Sequence, residues 1–265
     1  MKDKIEASQV LTGILNLRFL LLASVVALAG CGSAVTRDVS YDPLEGFNRA
    51  THGLNKAADA VALRPASAVY SAVTPDIVER SVSNFSENLD HPLRVVNSIL
   101  QARPVDAGRN FTRFLVNTTF GLGGLFDPAS DMGFENVSTG FGETLHVWGA
   151  GEGAYVELPF FGPSNARDAI GRAADAMLNP TRLVNLTETE TRARGGVRVA
   201  NLLGKRFDAA PFLDPLLYES TDSYVAIRNS FTQARRAELG DTDADIGLDP
   251  FDDPFDDPFD DPVSP

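Results

Sequence analysis

Beyond residue 41 the apolar residues fall into short stripes of helical period, and proline or glycine cuts each stripe well before the ~20 residues that a membrane-spanning helix needs. This punctuation restricts the chain to a set of short amphipathic helices. Asp42-Pro43-Leu44-Glu45 opens the first, with Asp as N-cap, Pro at the first helical position and Glu at the third. Apolar residues then recur at Leu44, Phe47, Leu54 and Val61, and Thr51 and Ala58 complete one face in steps of three and four. Arg64-Pro65 is expected to break this helix. Thr74-Pro75-Asp76 opens a second, with Val78, Val82, Phe85 and Leu89 on one side, which His91-Pro92 is expected to end. Two more follow, over 92–101 with Leu93, Val96 and Leu100, and over 104–120 with Ala107, Phe111, Phe114, Leu115 and Thr118 in register.

The pattern then changes. Residues 121–153 hold nine glycines in 33 positions, together with Phe126, Phe134, Phe141 and Trp148. Glycine at this density loosens the backbone while large apolar groups stay available for contacts, so a long loop with a short helix near 141–148 is expected. The apolar run over 154–161 is extended, either as a strand or as a buried linker. Ser164, after Gly162-Pro163, reads as a helix N-cap rather than a nucleophile. Helical patterns resume at 164–178, at about 187–207 and at 222–236. The fold class is mainly α.

The N-terminus is an address. Lys2, Lys4 and Arg18 flank the start of an apolar run over 19–29 that ends in Leu28-Ala29-Gly30-Cys31. A basic start, a short apolar stretch and small residues before a cut describe a signal peptide over 1–30. Leu-Ala-Gly-Cys resembles a bacterial lipobox, which implies that Cys31 becomes the first residue, with a diacylglycerol on its thiol and a further acyl chain on its amino group. At about 0.8 kcal/mol per buried methylene, such chains hold a protein on a membrane durably. Gly32, where Asp would favour retention in the inner membrane, implies the outer membrane by the same resemblance. Residues 31–41 then serve as a lipid-anchored tether. Cys31 is the single cysteine, which excludes an intramolecular disulfide and any multi-cysteine metal site.

The net charge of −13 argues against nucleic acid as a partner. The acidity is local: from Glu238 to the end there are 11 acidic residues and no basic one. Three copies of Phe-Asp-Asp-Pro occupy 251–262, where like charges repel and a proline at every fourth position prevents regular structure. Residues 237–265 are therefore expected to form a disordered acidic tail. It is either a solubilising segment or a docking peptide whose repeated weak contacts suit a basic partner.

Catalytic patterns are absent. Gly149-Ala150-Gly151-Glu152-Gly153 has no following Lys-Ser/Thr for a phosphate loop, and neither Gly-x-Ser-x-Gly nor His-Glu-x-x-His occurs. The histidines, His52, His91 and His146, are scattered, and Asp127 and Asp131 fit turns better than a catalytic pair with His146. Nothing here implies an enzyme, a metal or a cofactor.

The run Tyr41-Asp-Pro-Leu-Glu-Gly-Phe-Asn-Arg49 resembles the opening of the MlaA (VacJ) family of outer-membrane lipoproteins. The likeness continues through Leu63-Arg64-Pro65, Asn84-Phe85, Asn88-Leu89, Val96-Asn97 and Arg113-Phe114 to Asn117-Thr118-Thr119-Phe120-Gly121. It takes in Gly123-Gly124-Leu125-Phe126-Asp127, Phe141-Gly142-Glu143-Thr144-Leu145, Trp148-Gly149 and Leu158-Pro159, then Gly162-Pro163-Ser164, Arg167-Asp168 and Asp175. It spans about 41–236, which delimits the helical domain as 42–236. Thr51-His52-Gly53 departs from the family's bulkier apolar residues, 179–198 matches less well, and the acidic tail is unlike the usual ending. The resemblance implies a mostly helical ring lying in the inner leaflet beside a trimeric porin, with an amphipathic channel. It implies removal of misplaced phospholipids from the outer leaflet and their passage to a soluble periplasmic carrier, which keeps the two leaflets distinct.

The physics of such cargo sets what the chain must supply. A two-chain phospholipid exposes about 30 methylenes, so carrying it bare through water costs about 20 kcal/mol or more. The tails need an apolar route and the headgroup a polar one. Amphipathic stripes suit this by lying in a membrane interface, and equally suit a soluble helical domain. Beyond Cys31 there are 18 Arg but only Lys56 and Lys205. Arg49, Arg64, Arg94, Arg109 and Arg113 are candidates for headgroup or interface contacts, the other account being a general preference for Arg codons. Phe47, Asn48, Arg49, Asn84, Asn88 and Asn97 are channel candidates from the motifs, Phe47-Asn48 fitting equally a packed wedge and a network amide. Gly121, Gly123, Gly124, Gly140 and Gly142 are candidates for a gate loop. Other readings of the whole are an adaptor that tethers porins to periplasmic proteins, and a lipid hydrolase.

Overall fold

The computed structural model describes residues 42–182 and 187–240; the signal peptide, Cys31, the tether and the Phe-Asp-Asp-Pro repeats lie outside the described residues. The first helix, α1 (Glu45–Ala58), begins two residues later than Pro43, with the Asp42 carboxylate accepting the Leu44 N–H at 3.0 Å just ahead of it. The expected break at Arg64-Pro65 does not occur. A π-turn, Asp59–Leu63, joins α1 directly to α2 (Arg64–Val73), and the Arg64 N–H donates to the Asp59 carbonyl five residues back. The wider turn shifts the hydrogen-bond register just where Pro65 has no N–H to give.

Pro92 does not end its helix either: α3 runs unbroken from Asp76–Leu100. An internal proline costs about 3 kcal/mol in an isolated helix. Here α3 packs along α4 (Pro104–Thr119) on one side and α8 (Glu188–Asp208) on another, and that packing outweighs the cost. The glycine-rich stretch holds two short helices, the unforeseen α5 (Pro128–Asp131) and the expected α6 (Phe141–Val147). The apolar run after it is a strand: β1 (Tyr155–Leu158) pairs antiparallel with β2 (Gly162–Asn165), Tyr155 opposite Asn165 and Leu158 opposite Gly162. The N-cap of α7 (Ala166–Leu178) is Asn165, which accepts the Asp168 N–H at 2.7 Å, so the cap falls one residue after Ser164. Ser164 itself lies buried on β2.

A capping box between Thr187 and Glu190 starts α8. Next come α9 (Ala210–Asp214) and a second π-turn (Pro215–Glu219), neither of which the periodicity signals. The last helix, α10 (Ser223–Leu239), is capped by Asp222 and stopped by Gly240 at φ 79°. Residues 237–239, read from sequence as the start of the tail, are therefore its final turn.

Neighbour relations close a circuit. Helix α3 meets α8, α8 meets α9, α9 the second π-turn and that turn α10; α10 then meets β2, β2 meets α7, α7 meets α6, and α6 returns to α3. The α1–α2 rod lies against β1 at one end and α8 at the other. No helix among the described residues is long and apolar enough to cross a membrane.

Polarity is inverted relative to a water-soluble domain. Among the described residues nine apolar side chains are buried against twenty-two polar or charged ones, while twenty-eight large apolar side chains are exposed. Soluble monomers place apolar groups inside and show only small apolar patches. Along α1 and the π-turn, from Leu44 just ahead of the helix, the stripe Leu44, Phe47, Leu54 and Val61 faces outward, while Asn48, Thr51, His52 and Asp59 face in. Thr51, which the spacing puts on the apolar stripe, lies on the inner side of its border. On α4, Phe111 and Leu115 are exposed, whereas Ala107, Asn110, Arg113 and Asn117 are buried. A compact apolar cluster forms between α6 and α7, from Phe141, Leu145 and Ala174 with Ala150 and Ile170 against them.

Candidate functional site

Because the interior is polar, hydrogen bonds between side chains do the work that apolar packing does elsewhere. Asn48 is fully buried: its amide donates to Asp42 and to the Tyr155 carbonyl, each at 3.0 Å, and its oxygen accepts the Glu157 N–H at 2.9 Å. It fastens α1 to β1. Beside it His52 Nδ1 lies 3.1 Å from the buried Glu157 carboxylate, and its Nε2 lies 3.0 Å from Ser223 Oγ. Asn55 donates to the same carboxylate at 3.1 Å and accepts the Phe160 N–H at 2.7 Å. The departure at Thr51-His52 is thus compensated by partners on β1 and α10. Phe47 is exposed on the outer stripe. Arg49 pairs with Glu45 at 2.7 Å and Asp222 at 3.0 Å, above the Tyr224 ring.

The remaining asparagines divide into two groups. Asn84 donates to the Leu125 carbonyl at 3.3 Å, and Asn88 donates to Thr118 at 3.0 Å and to the Gly123 carbonyl at 3.4 Å. Together they hold the 121–126 turn on α3. Asn97, fully buried, donates to Asp175 at 2.9 Å and accepts from Thr144 at 3.0 Å, and Asp175 also receives the Phe141 N–H. This group joins α3, α6 and α7. Of the gate candidates, Gly121, Gly124, Gly140 and Gly142 each have no room for a side chain. A Cβ would come within 2.4 Å of the Phe126 carbonyl, 2.6 Å of Asn88, 2.9 Å of Asp175 and 2.5 Å of Asp168, respectively. Gly123 sits in open space at φ +76°.

Charged pairs extend the network. Arg113 is buried, donating to Asp127 at 2.8 Å, to Ser130 at 3.0 Å and to the Phe134 carbonyl. Burial pushes the Asp127 carboxyl up, but hydrogen bonds from Ser130 and Asn117 and the Arg113 charge more than offset this and hold it below the usual carboxylate range. Arg206, also buried, grips Asp59 through two bonds of 2.7 and 2.8 Å and reaches Asp214 at 2.6 Å. Asp168 receives Arg235 at 2.7 Å, tying α7 to α10. Asp127 is therefore not a plain turn residue: it caps α5, accepting the Ser130 N–H at 3.3 Å, and pairs with Arg113, while Asp131, also expected in a turn, ends that helix.

All five arginines put forward from sequence are held by the chain: Arg49 and Arg113 as above, Arg64 by Asp214 at 2.9 Å, Arg94 by Asn136 at 2.5 Å, and Arg109 by Glu135 at 3.4 Å. The Arg preference thus has a third account, contacts within the chain, which are buried ion pairs at Arg113 and Arg206. The arginines that line a cavity lie elsewhere, in the 179–198 stretch that matches the family pattern less well. A cavity of ≈ 460 Å³ opens among Leu93 of α3, Asp175 and Ala176 of α7, and Arg194, Gly195 and Arg198 of α8. Weak motif matching hid them, although Arg194 and Arg198 are one helical turn apart and so share a face.

The residue pattern of MlaA lipoproteins matches this chain over residues 40–238. An Escherichia coli (strain K12) protein named intermembrane phospholipid transport system lipoprotein MlaA is 34% identical over 211 residues, spanning 78% of this chain and 82% of its own length. Its namesake from Haemophilus influenzae is 30% identical over 227 residues, spanning 83% and 89%. A Rickettsia felis protein is 37% identical over 200 residues, spanning 75% and 78%. A solved structure described under "Structural basis for maintenance of bacterial outer membrane lipid asymmetry" matches with TM-score 0.62 at 30% identity, over 75% of this chain and 99% of that one. By motif, sequence and fold alike, the chain belongs to the MlaA lipoprotein family.

Proposed function

We propose that this protein removes misplaced phospholipids from the outer leaflet of the outer membrane and passes them to a soluble periplasmic carrier for retrograde transport, which keeps the two leaflets different. The observation that carries this reading is the inverted polarity. Each large apolar side chain left in water forgoes on the order of 1–3 kcal/mol. Ten such residues forgo about 10–30 kcal/mol, comparable to or above the 5–15 kcal/mol by which a typical domain is stable. Against acyl chains the same stripes cost nothing, and short helices lying in the interface need no spanning segment. The polar interior offers headgroups hydrogen-bonding partners, and the circuit of helices is the frame for an amphipathic passage.

In this reading Cys31 carries the diacylglycerol and N-acyl anchor, the helical domain lies in the inner leaflet facing the periplasm, and a trimeric porin is its membrane neighbour. The similarity to named phospholipid-transport lipoproteins supports it. Transport here is passive and non-enzymatic, driven from elsewhere. The gate is the 121–126 turn, which Asn84 and Asn88 latch to α3 through bonds of 3.3 and 3.4 Å to its carbonyls. Cells lacking the protein are expected to show raised surface-exposed phospholipid, reversed by the wild-type gene. Unchanged surface phospholipid would overturn the reading.

A further inference from the structure

We propose that the cavity among α3, α7 and α8 is a headgroup station, where Arg194 and Arg198 hold the phosphodiester of a phospholipid in transit. The inference rests on the transport reading and adds to it a place and a chemistry. The two arginines lie at i and i+4 on α8, so both reach the same cavity. Planar guanidinium groups suit bidentate contact with phosphate oxygens. Arg194 is steadied by donating to the Thr181 carbonyl and hydroxyl. Arg198 lines the cavity, is exposed and, among the described residues, makes no hydrogen bond.

The local charge favours an anion. Asp90, one turn ahead of Leu93 on α3, sits in the field of Arg94, Arg194, Arg198 and Lys205. Asp175 lines the cavity, but its oxygens already accept the Phe141 N–H and the Asn97 amide. Glu87 lies 3.9 Å from Lys205. Of the charged groups that line the cavity, two cations, Arg194 and Arg198, meet one carboxylate, Asp175, which is committed by hydrogen bonds.

Size and shape fit as well. Ligand sites run to about 300–1,000 Å³, and ≈ 460 Å³ accepts a glycerophosphodiester headgroup. Two acyl chains with about 30 methylenes need more room and must lie outside. Apolar side chains are exposed next to the lining residues for that purpose: Met177 and Leu178 follow Ala176, and Val199 and Leu202 follow Arg198. Gly195 keeps the wall open, since a Cβ there meets nothing within 4 Å.

The test uses the full-length lipidated protein in detergent, incubated with vesicles containing phosphatidylethanolamine, phosphatidylglycerol and diacylglycerol, with bound lipid counted by native mass spectrometry. Both phospholipids should be retained and diacylglycerol should not. The double variant Arg194→Gln/Arg198→Gln should lower phospholipid occupancy about tenfold or more, as expected for losing two charged contacts. Gly195→Leu should lower it similarly by filling the space, whereas Gly196→Leu, the next position and also uncrowded, should not. Wild-type occupancy in the double variant and in Gly195→Leu would overturn the proposal, as would retention of diacylglycerol equal to that of the phospholipids. Displacement of lipid by millimolar inorganic phosphate alone would also overturn it, by making this a free-phosphate site. In cells the two readings separate. If deletion raises surface phospholipid and the double variant restores it fully, the station fails while the transport reading stands. If deletion raises nothing, the transport reading fails whatever the cavity binds.

Discussion

Asp59→Asn removes the charge that faces Arg206 at the joint between the first π-turn, α8 and α9. The Asp59 carboxylate accepts Arg206 at 2.7 and 2.8 Å and the Tyr218 hydroxyl at 2.7 Å. The side chains are only 9% and 3% exposed. Burial pushes the Asp59 carboxyl up, yet hydrogen bonds from Arg206 and Tyr218 outweigh it and hold the group below the usual carboxylate range. Breaking such a pair from one side strands a buried cation, at about 3–5 kcal/mol. Asp214 remains beside Arg206 at 2.6 Å, so the lower end applies, about 3 kcal/mol. At about 2–4 °C per kcal/mol for a domain of this size, melting in detergent should fall by about 6–12 °C. Adding Arg206→Met removes the stranded cation and leaves Asp214 its other partner, Arg64, at 2.9 Å. The double variant should therefore melt above Asp59→Asn. If the single variant stays within about 2 °C of wild type, or the double is no better than the single, the argument from buried charge is wrong.

Other perturbations probe other joints. His91 is 1% exposed, and its pKa is pushed down to about 4, first by burial and then by the charges of Arg94 and Arg113. The unfolded chain binds its proton first, so stability should be full above about pH 6.5 and decline by about 3 kcal/mol as pH falls to about 4. His91→Gln should flatten that window in melts taken across pH. Gly124 combines φ +98° with a Cβ position 2.6 Å from Asn88, whereas Gly123 at φ +76° has open space. Gly124→Ala should therefore cost clearly more than the roughly 1–2 kcal/mol of strain expected for Gly123→Ala, by denaturant titration. Val61→Asp and Phe111→Asp, on the outward stripes, should leave the melting temperature in detergent nearly unchanged. In a form without the lipid anchor, each should weaken vesicle binding about ten- to a hundredfold, having lost the apolar contact of a side chain worth about 1.5–3 kcal/mol.

The helices were legible because their caps are local. Thr187 and Glu190, Asp222 and Pro104 mark helix starts that the fold keeps to within a residue. The two misplaced breaks, at Pro65 and Pro92, share a cause: proline removes a local donor, and partners distant in sequence decide whether the helix survives. Which face turns inward was not legible. Leu44, Phe47 and Leu54 make a convincing core stripe by spacing, and nothing within α1 reveals that Asn48 and His52 are the side that packs. That depends on Glu157 and Tyr155, more than a hundred residues away. The motif asparagines were found, but their role as fasteners between helices needs the partner strand or turn to be seen. Arg194 and Arg198 lie where the motifs match weakly, and only the fold brings them to one cavity with residues of α3 and α7.

Transfer of labelled phospholipid tests the central claim most directly. The full-length protein is placed in donor vesicles, and its purified periplasmic carrier is added as acceptor. The account predicts intact phospholipid on the acceptor only when the protein is present. Free fatty acid in its place would point to hydrolysis, and an empty acceptor to a tether that moves no lipid; either result contradicts the account.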